Sequence, residues 1–149
     1  MNVYVFSVLS KKEFNIDVVG QVREKIQLLY PENSVTYSLY NCPDRKCKEL
    51  DFNIHNIIFH KDNIEFEIEE LIQVIVIILN TFDIDCEVIG GYNDTENAIL
   101  QYEKNREDTY KKFGLFGTKN FISNSAPYCK IDDITIYQSF EFDSMGVIF

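Results

Sequence analysis

The segment VYVFSVL, residues 3–9, is apolar on both of its alternating faces, with Val3, Val5 and Leu9 on one and Tyr4, Phe6 and Val8 on the other. A half-exposed strand carries polar residues at every second position, so this pattern predicts a central strand with material packed above and below it. The next elements follow from spacing and punctuation. Asp17 is placed to cap a helix whose apolar residues Val18, Val19, Val22, Ile26, Leu29 and Tyr30 recur at helical intervals, and Pro31 stops it. Residues 34–40 alternate, with Val35, Tyr37 and Leu39 on one face, and read as a half-buried strand. A polar turn over 41–48 leads to a third strand over 50–59.

Residues 64–82 carry two competing periods. Ile64, Phe66 and Ile68 alternate with Glu65, Glu67 and Glu69, which suits a short strand hairpinned on residues 61–63. From Leu71 the apolar residues fit a helix, and the uninterrupted run to Phe82 is longer than most strands. Val74, Ile77 and Ile78 make the far side of that helix apolar too, so it must be covered on two sides or meet a partner. The stretch Leu71 to Leu79 is about half the roughly 20 residues of a membrane span. The amino terminus has no basic region ahead of its apolar run, so a secretory signal is not expected, and the expected location is cytoplasmic.

Ile84, Cys86 and Val88 alternate with Asp83, Asp85 and Glu87 in a further half-buried strand that Gly90-Gly91 ends. Asp94 and Asn97 open a helix with Ile99, Tyr102, Tyr110 and Phe113 along one stripe; residues 114–128 read as loop and 131–142 as a last strand. With 149 residues, 46% of them hydrophobic, and no linker, the chain is expected to form one domain over 1–149. The expected class is α+β, a single sheet with helices packed on it. Residues 3–90 follow the order of a ferredoxin-like split βαβ core, with an added carboxy-terminal helix and strand covering the second face.

Charge is concentrated. The net charge is −10, yet residues 49–96 hold Lys61 alone against twelve acids, a net of −11, while the two flanks nearly cancel. Such a concentration repels phosphate, which argues against nucleic acid as a partner, and no membrane partner is expected. The lack of tryptophan removes the usual sugar-stacking platform from a glycosidase reading of the paired carboxylates.

Both histidines and two of the four cysteines fall in Cys42–His60, spaced C-x4-C-x7-H-x4-H. A zinc knuckle needs a tighter pair of thiolates and two imidazoles one helical turn apart. His55 and His60, five apart on a strand, point to opposite faces, so neither a metal nor any other cofactor is expected. Cys42 and Cys47 also lack redox-pair spacing. A small enzyme that draws Cys42, Cys47 or Cys129 to His55 is the competing reading, and a protein that dimerises through the helix at Leu71–Leu79 is a third.

The favoured expectation is a non-enzymatic binding protein whose acids meet a basic protein partner. Its contacts would be Glu65, Glu67, Glu69, Glu70, Asp83, Asp85 and Glu87, with Tyr92 as an aromatic anchor. In composition the chain is similar to bacterial immunity proteins, the antitoxin-type inhibitors that mask toxic nucleases; the likeness is one of composition, without a shared motif.

Overall fold

The computed structural model describes residues 3–42, 47–57, 64–92, 115–118 and 125–139. These form a mixed α+β arrangement, with two helices and one antiparallel seven-stranded sheet of order β2-β3-β1-β4-β5-β7-β6. In chain order the elements are β1 (Tyr4–Ser10), α1 (Ile16–Leu29), β2 (Val35–Cys42), β3 (Cys47–Ile54), α2 (Ile64–Thr81), β4 (Glu87–Tyr92), β5 (Leu115–Gly117), β6 (Ser125–Ile131) and β7 (Ile134–Ser139).

As its sequence requires, β1 is central, paired with β3 on one side and β4 on the other. Register sets which side chains share a face. Phe6 lies opposite Phe52 of β3 and Gly90 of β4, and Val8 opposite Leu50 and Val88, so Tyr4, Phe6, Val8, Leu50, Phe52, Ile54 and Val88 build one buried layer. Against it pack Val19, Val22 and Ile26 of α1 and Leu71, Ile75 and Ile78 of α2, all inaccessible to solvent. Each such aliphatic side chain contributes about 1.5–3 kcal/mol. The opposite face is buried as well at Val5, Ser7 and Ile89, so β1 is enclosed on both sides.

Each helix is tied at its ends. Asn15, not Asp17, caps α1, its Oδ1 accepting from the Asp17 amide at 2.9 Å; Asp17 sits in the first turn, where the helix dipole favours an acid. The Tyr30 hydroxyl after α1 donates to Glu70 Oε2 of α2 at 3.1 Å, and Phe14 before α1 meets Phe82 after α2 edge-on at 5.5 Å.

Two strand boundaries need correction, and one open alternative is decided. The two competing periods over residues 64–68 resolve as helix: the apolar pairs Ile64/Ile68 and Ile68/Ile72 satisfy the four-residue spacing, which a single 18-residue helix exploits. That helix buries Ile72 and Val74 in addition to Leu71, Ile75 and Ile78, so much of its apolar surface packs inside the chain. The strand expected over 83–88 begins at Glu87 and runs through Gly90-Gly91 to Tyr92. The third strand ends at Ile54, two residues before Asn56 turns the backbone at φ 58.

At the carboxy-terminal side, the expected loop over 114–128 and single last strand become β5 and a β6–β7 hairpin. Pro127, a turn signal in the sequence, is accommodated because β6 is an edge strand whose outer amides need no partner, with a register shift between Pro127 and Cys129. The turn is Asp132-Asp133, with Asp132 at φ 53. These strands lengthen the sheet edgewise instead of covering its second face; the expected helix over 97–113 lies outside the described residues. Among the described residues no helix is long and apolar enough to cross a membrane.

Gly90 is required by the register itself. It sits between Phe6 of β1 and Phe116 of β5, both fully buried, and a Cβ at that position would lie 2.5 Å from Phe6 Cδ1. The aromatic ring fills the space the missing side chain leaves. Gly90→Ala is therefore expected to destabilise the fold by about 1–3 kcal/mol in urea denaturation, and Phe6→Leu in the same chain to recover part of that loss. An alanine variant as stable as the parent would contradict this packing.

Candidate functional site

The acids singled out by the sequence fall at the two ends of α2. Glu65 and Glu67 lie in its first turns, their side chains outside the described ones; Glu69 is exposed and Glu70 is half-buried against Tyr30. Past the other end, Asp83 and Asp85 are exposed in the connection to β4, and Glu87 is half-buried as the first residue of that strand. Between Glu70 and Thr81 the helix advances about 16 Å. Tyr92 closes β4 opposite Tyr4, at the Glu70 end of the molecule; its side chain is outside the described ones. The three acids Asp83, Asp85 and Glu87, read as a row along one strand face, are thus a connection carrying two and a strand carrying one.

The connection is held firmly. Ser10 Oγ donates to the Asp85 main-chain oxygen at 2.9 Å and accepts from the Lys12 amide at 3.1 Å, while Phe14 packs on Phe82. These contacts hold the connection, and among the described residues no ion pair engages Asp83 or Asp85. Between the two acidic ends α2 shows solvent a stripe of Glu69, Gln73, Ile77 and Asn80, exposed or partly so and uncharged after Glu69.

A different set of acids has turned inward. On the sheet face away from the helices, Glu49 and Asp51 of β3 lie beside Ser7 of β1, with Glu49 only 7% exposed and Ser7 inaccessible. Ser7 Oγ donates to Asp51 Oδ1 at 2.8 Å, and the Asp51 and Glu49 carboxyls share a hydrogen bond. A hydrogen bond between two carboxyl groups needs a proton on one of them. Burial pushes the Asp51 carboxyl above its ordinary value, and the bonds from Ser7 and Glu49 offset part of that rise. Burial thus favours the protonated form of Asp51 relative to a free carboxyl. Sequence reading missed it because Glu49, Asp51 and Asn53 alternate with Leu50, Phe52 and Ile54 like any solvent-facing set. The one available signal was the second apolar face of β1.

The thiols and histidine of the competing reading are dispersed. Cys47 begins β3 and His55 follows its end, eight residues or roughly 26 Å apart along a strand. Cys129 is on β6, five strands from β3 and so about 24 Å across the sheet. His55 Nε2 is 2.7 Å from Thr36 Oγ1. Burial, then the charges of Asp85 and Glu87, push the Cys86 thiol up to about 11, and burial raises Cys129 too, so both stay protonated at neutral pH. The Cys42 side chain and His60 lie outside the described residues. Among the described residues no three potential ligands converge on a metal position.

The buried pair has a pH signature. Because the folded Asp51 carboxyl lies above its unfolded value of 3.8, its contribution to stability is complete below that pH and is lost as pH rises through the folded value. Asp51→Asn keeps an oxygen for Ser7 and removes the ionisation. Its urea midpoint relative to the parent should therefore improve as pH rises above about 4; a difference that stays constant with pH would refute the assignment. Comparison with known proteins matches this chain to no family model, no curated protein and no solved structure.

Proposed function

We propose that the chain is a non-enzymatic, cytoplasmic binding protein that masks a basic protein partner, in the manner of an immunity or antitoxin protein holding a toxin domain such as a nuclease. Its core, residues 4–92, is read as a ferredoxin-like split βαβ. The order β1-α1-β2-β3-α2-β4 with sheet order β2-β3-β1-β4, every neighbouring pair antiparallel, supports that reading.

The observation that carries the functional reading is the state of Asp83 and Asp85. Both are exposed, both sit on a connection fastened by Ser10 and by the Phe14–Phe82 contact, and no ion pair among the described residues satisfies them. Exposed carboxylates on a fastened connection, without an ion-pair partner among the described residues, attract a cationic surface that comes within about a Debye length and set its register on arrival. The acids at the start of α2, Glu65, Glu67, Glu69 and Glu70, form a second pole. An interface of ordinary size covers about 800 Å² of each partner, a patch about 30 Å across. Such a footprint, centred on the stripe through Gln73 and Ile77, is wide enough to reach both ends of α2, whereas Glu87, in register with Leu9, lies on the sheet face away from the helices.

The test uses the protein encoded by the adjacent gene as first partner. Asp83→Lys with Asp85→Lys should leave the urea midpoint near the parent's, since both side chains are exposed, and slow association roughly tenfold or more at low salt, with the difference shrinking as salt is added. Association constants unchanged by the double reversal in a complex that does form would remove the aspartates from the interface. No complex, and no protection of cells expressing that neighbour, would reject the function.

A further inference from the structure

The two edges of the sheet are built differently. At β6 the edge carries Pro127, a register shift beside Tyr128, and Lys130, three devices that discourage a further strand from pairing. At β2 there is none of these. Residues 34–42, SVTYSLYNC, contain no proline, glycine or ionised side chain, and the pairing with β3 runs from Val35 to Cys42 without a shift.

The register shows which backbone groups of β2 point outward. Val35 is opposite Ile54, and the His55 amide donates to the Ser34 oxygen at 2.9 Å, so Val35 and Ile54 form a non-hydrogen-bonded pair. Alternation then turns the N–H and C=O of Val35, Tyr37, Leu39 and Asn41 away from β3. At Val35 both are already satisfied by α1: its amide donates to Gln27 Oε1 at 3.3 Å and its oxygen accepts from Arg23 Nη1 at 3.2 Å. Tyr37, Leu39 and Asn41 are left, and among the described residues no strand pairs with that edge. Tyr37, Leu39 and Tyr40 are 37%, 45% and 49% exposed beside it.

We propose that the open edge of β2 is the seat of a second copy of this chain, the two β2 strands pairing antiparallel about a two-fold axis at Leu39 so that two sheets become one. Three observations select a copy of the chain as occupant. The free residues are symmetric about Leu39, so one register sets Leu39 against Leu39 and Tyr37 against Asn41 and leaves no free group over. The row is closed at both ends, by the α1 side chains at Val35 and by Pro43 in the sequence, which has no amide proton to continue it. And the strip carries no carboxylate, so two chains of net charge −10 meet there with less close-range repulsion than at the acid-bearing ends of α2. Pairing over three residues on each side makes a small interface, of the transient class.

The salt dependence separates this from the capture of a basic partner. Dimerisation of like-charged copies strengthens as salt is added, whereas association with a cationic protein weakens. The experiment is light scattering behind size exclusion across a concentration series up to about 100 µM, together with amide hydrogen exchange. The expected result is a rise from 17.5 kDa toward twice that mass, steeper at higher salt, with slowed exchange at Tyr37, Leu39 and Asn41 in the dimer. Leu39→Lys, which opposes two like charges on the axis, should raise the dissociation constant at least tenfold while the thermal melt of the monomer is kept. A chain that stays at 17.5 kDa throughout overturns the proposal. So does a dimer that ignores Leu39→Lys and leaves those three amides unprotected, or an edge that takes up an unrelated strand while the chain stays monomeric.

Discussion

Enclosure of β1 on all four sides is the constraint from which the rest of the molecule follows. The strand is hydrogen-bonded to β3 and β4, faces both helices with Tyr4, Phe6 and Val8, and is buried on its other side at Val5 and Ser7. Because Phe6 is fully buried and its ring lies over the neighbouring strand, the position opposite it on β4 has no room for a side chain, and Gly90 occupies it. That single cross-strand fit explains why β4 runs through a glycine pair that would otherwise end a strand. It also brings Phe116 alongside, so that β5 continues the same buried layer beside α2.

The same enclosure decides the fate of the acids. Glu49 and Asp51 share the face of Ser7, and a carboxylate there loses hydration that nothing but a proton, a hydrogen bond or a cation can replace. Asp83 and Asp85, on a connection outside the layers, stay exposed to solvent. Proximity in sequence therefore says little about electrostatic role. The twelve acids of residues 49–96 divide at least between an inward pair and outward poles at the ends of α2, so their excess is not one field.

What the sequence made legible was local and periodic. The doubly apolar β1, the stop of α1 before Pro31, the alternating β2 and the helical run to Phe82 are each written in side chains whose spacing has one good solution. Where two solutions fit, neighbours elsewhere in the chain decide. Ile64–Ile68 alternates as a strand would, yet it continues the stripe of α2. Gly90-Gly91 reads as a terminator until Phe6 is set across from it. Pro127 reads as loop until β6 is known to be an edge. The candidate acids were individually legible, but their division between the two ends of a helix depends on where the chain leaves α2 for β4, and the Ser7–Asp51–Glu49 cluster depends on which face of β3 is closed. Both are long-range facts.

Charge and edge geometry together set what can approach this molecule. Beyond a Debye length of about 8 Å an oncoming protein senses little of the net charge, and inside it the nearest groups dominate. At the ends of α2 those groups are carboxylates, which reward a cation. Along β2 they are amides, carbonyls, two tyrosines and a leucine, which reward a strand whatever the sign of the chain that carries it. An acidic protein can thus hold one surface that selects for opposite charge and another whose own contacts carry no charge, provided the neutral strip is long enough for three alternate residues to face outward. Here α1 sets its lower limit: Arg23 and Gln27, by satisfying Val35, confine the open row to Tyr37, Leu39 and Asn41, so the helix that packs the core also fixes the register in which the edge can be read.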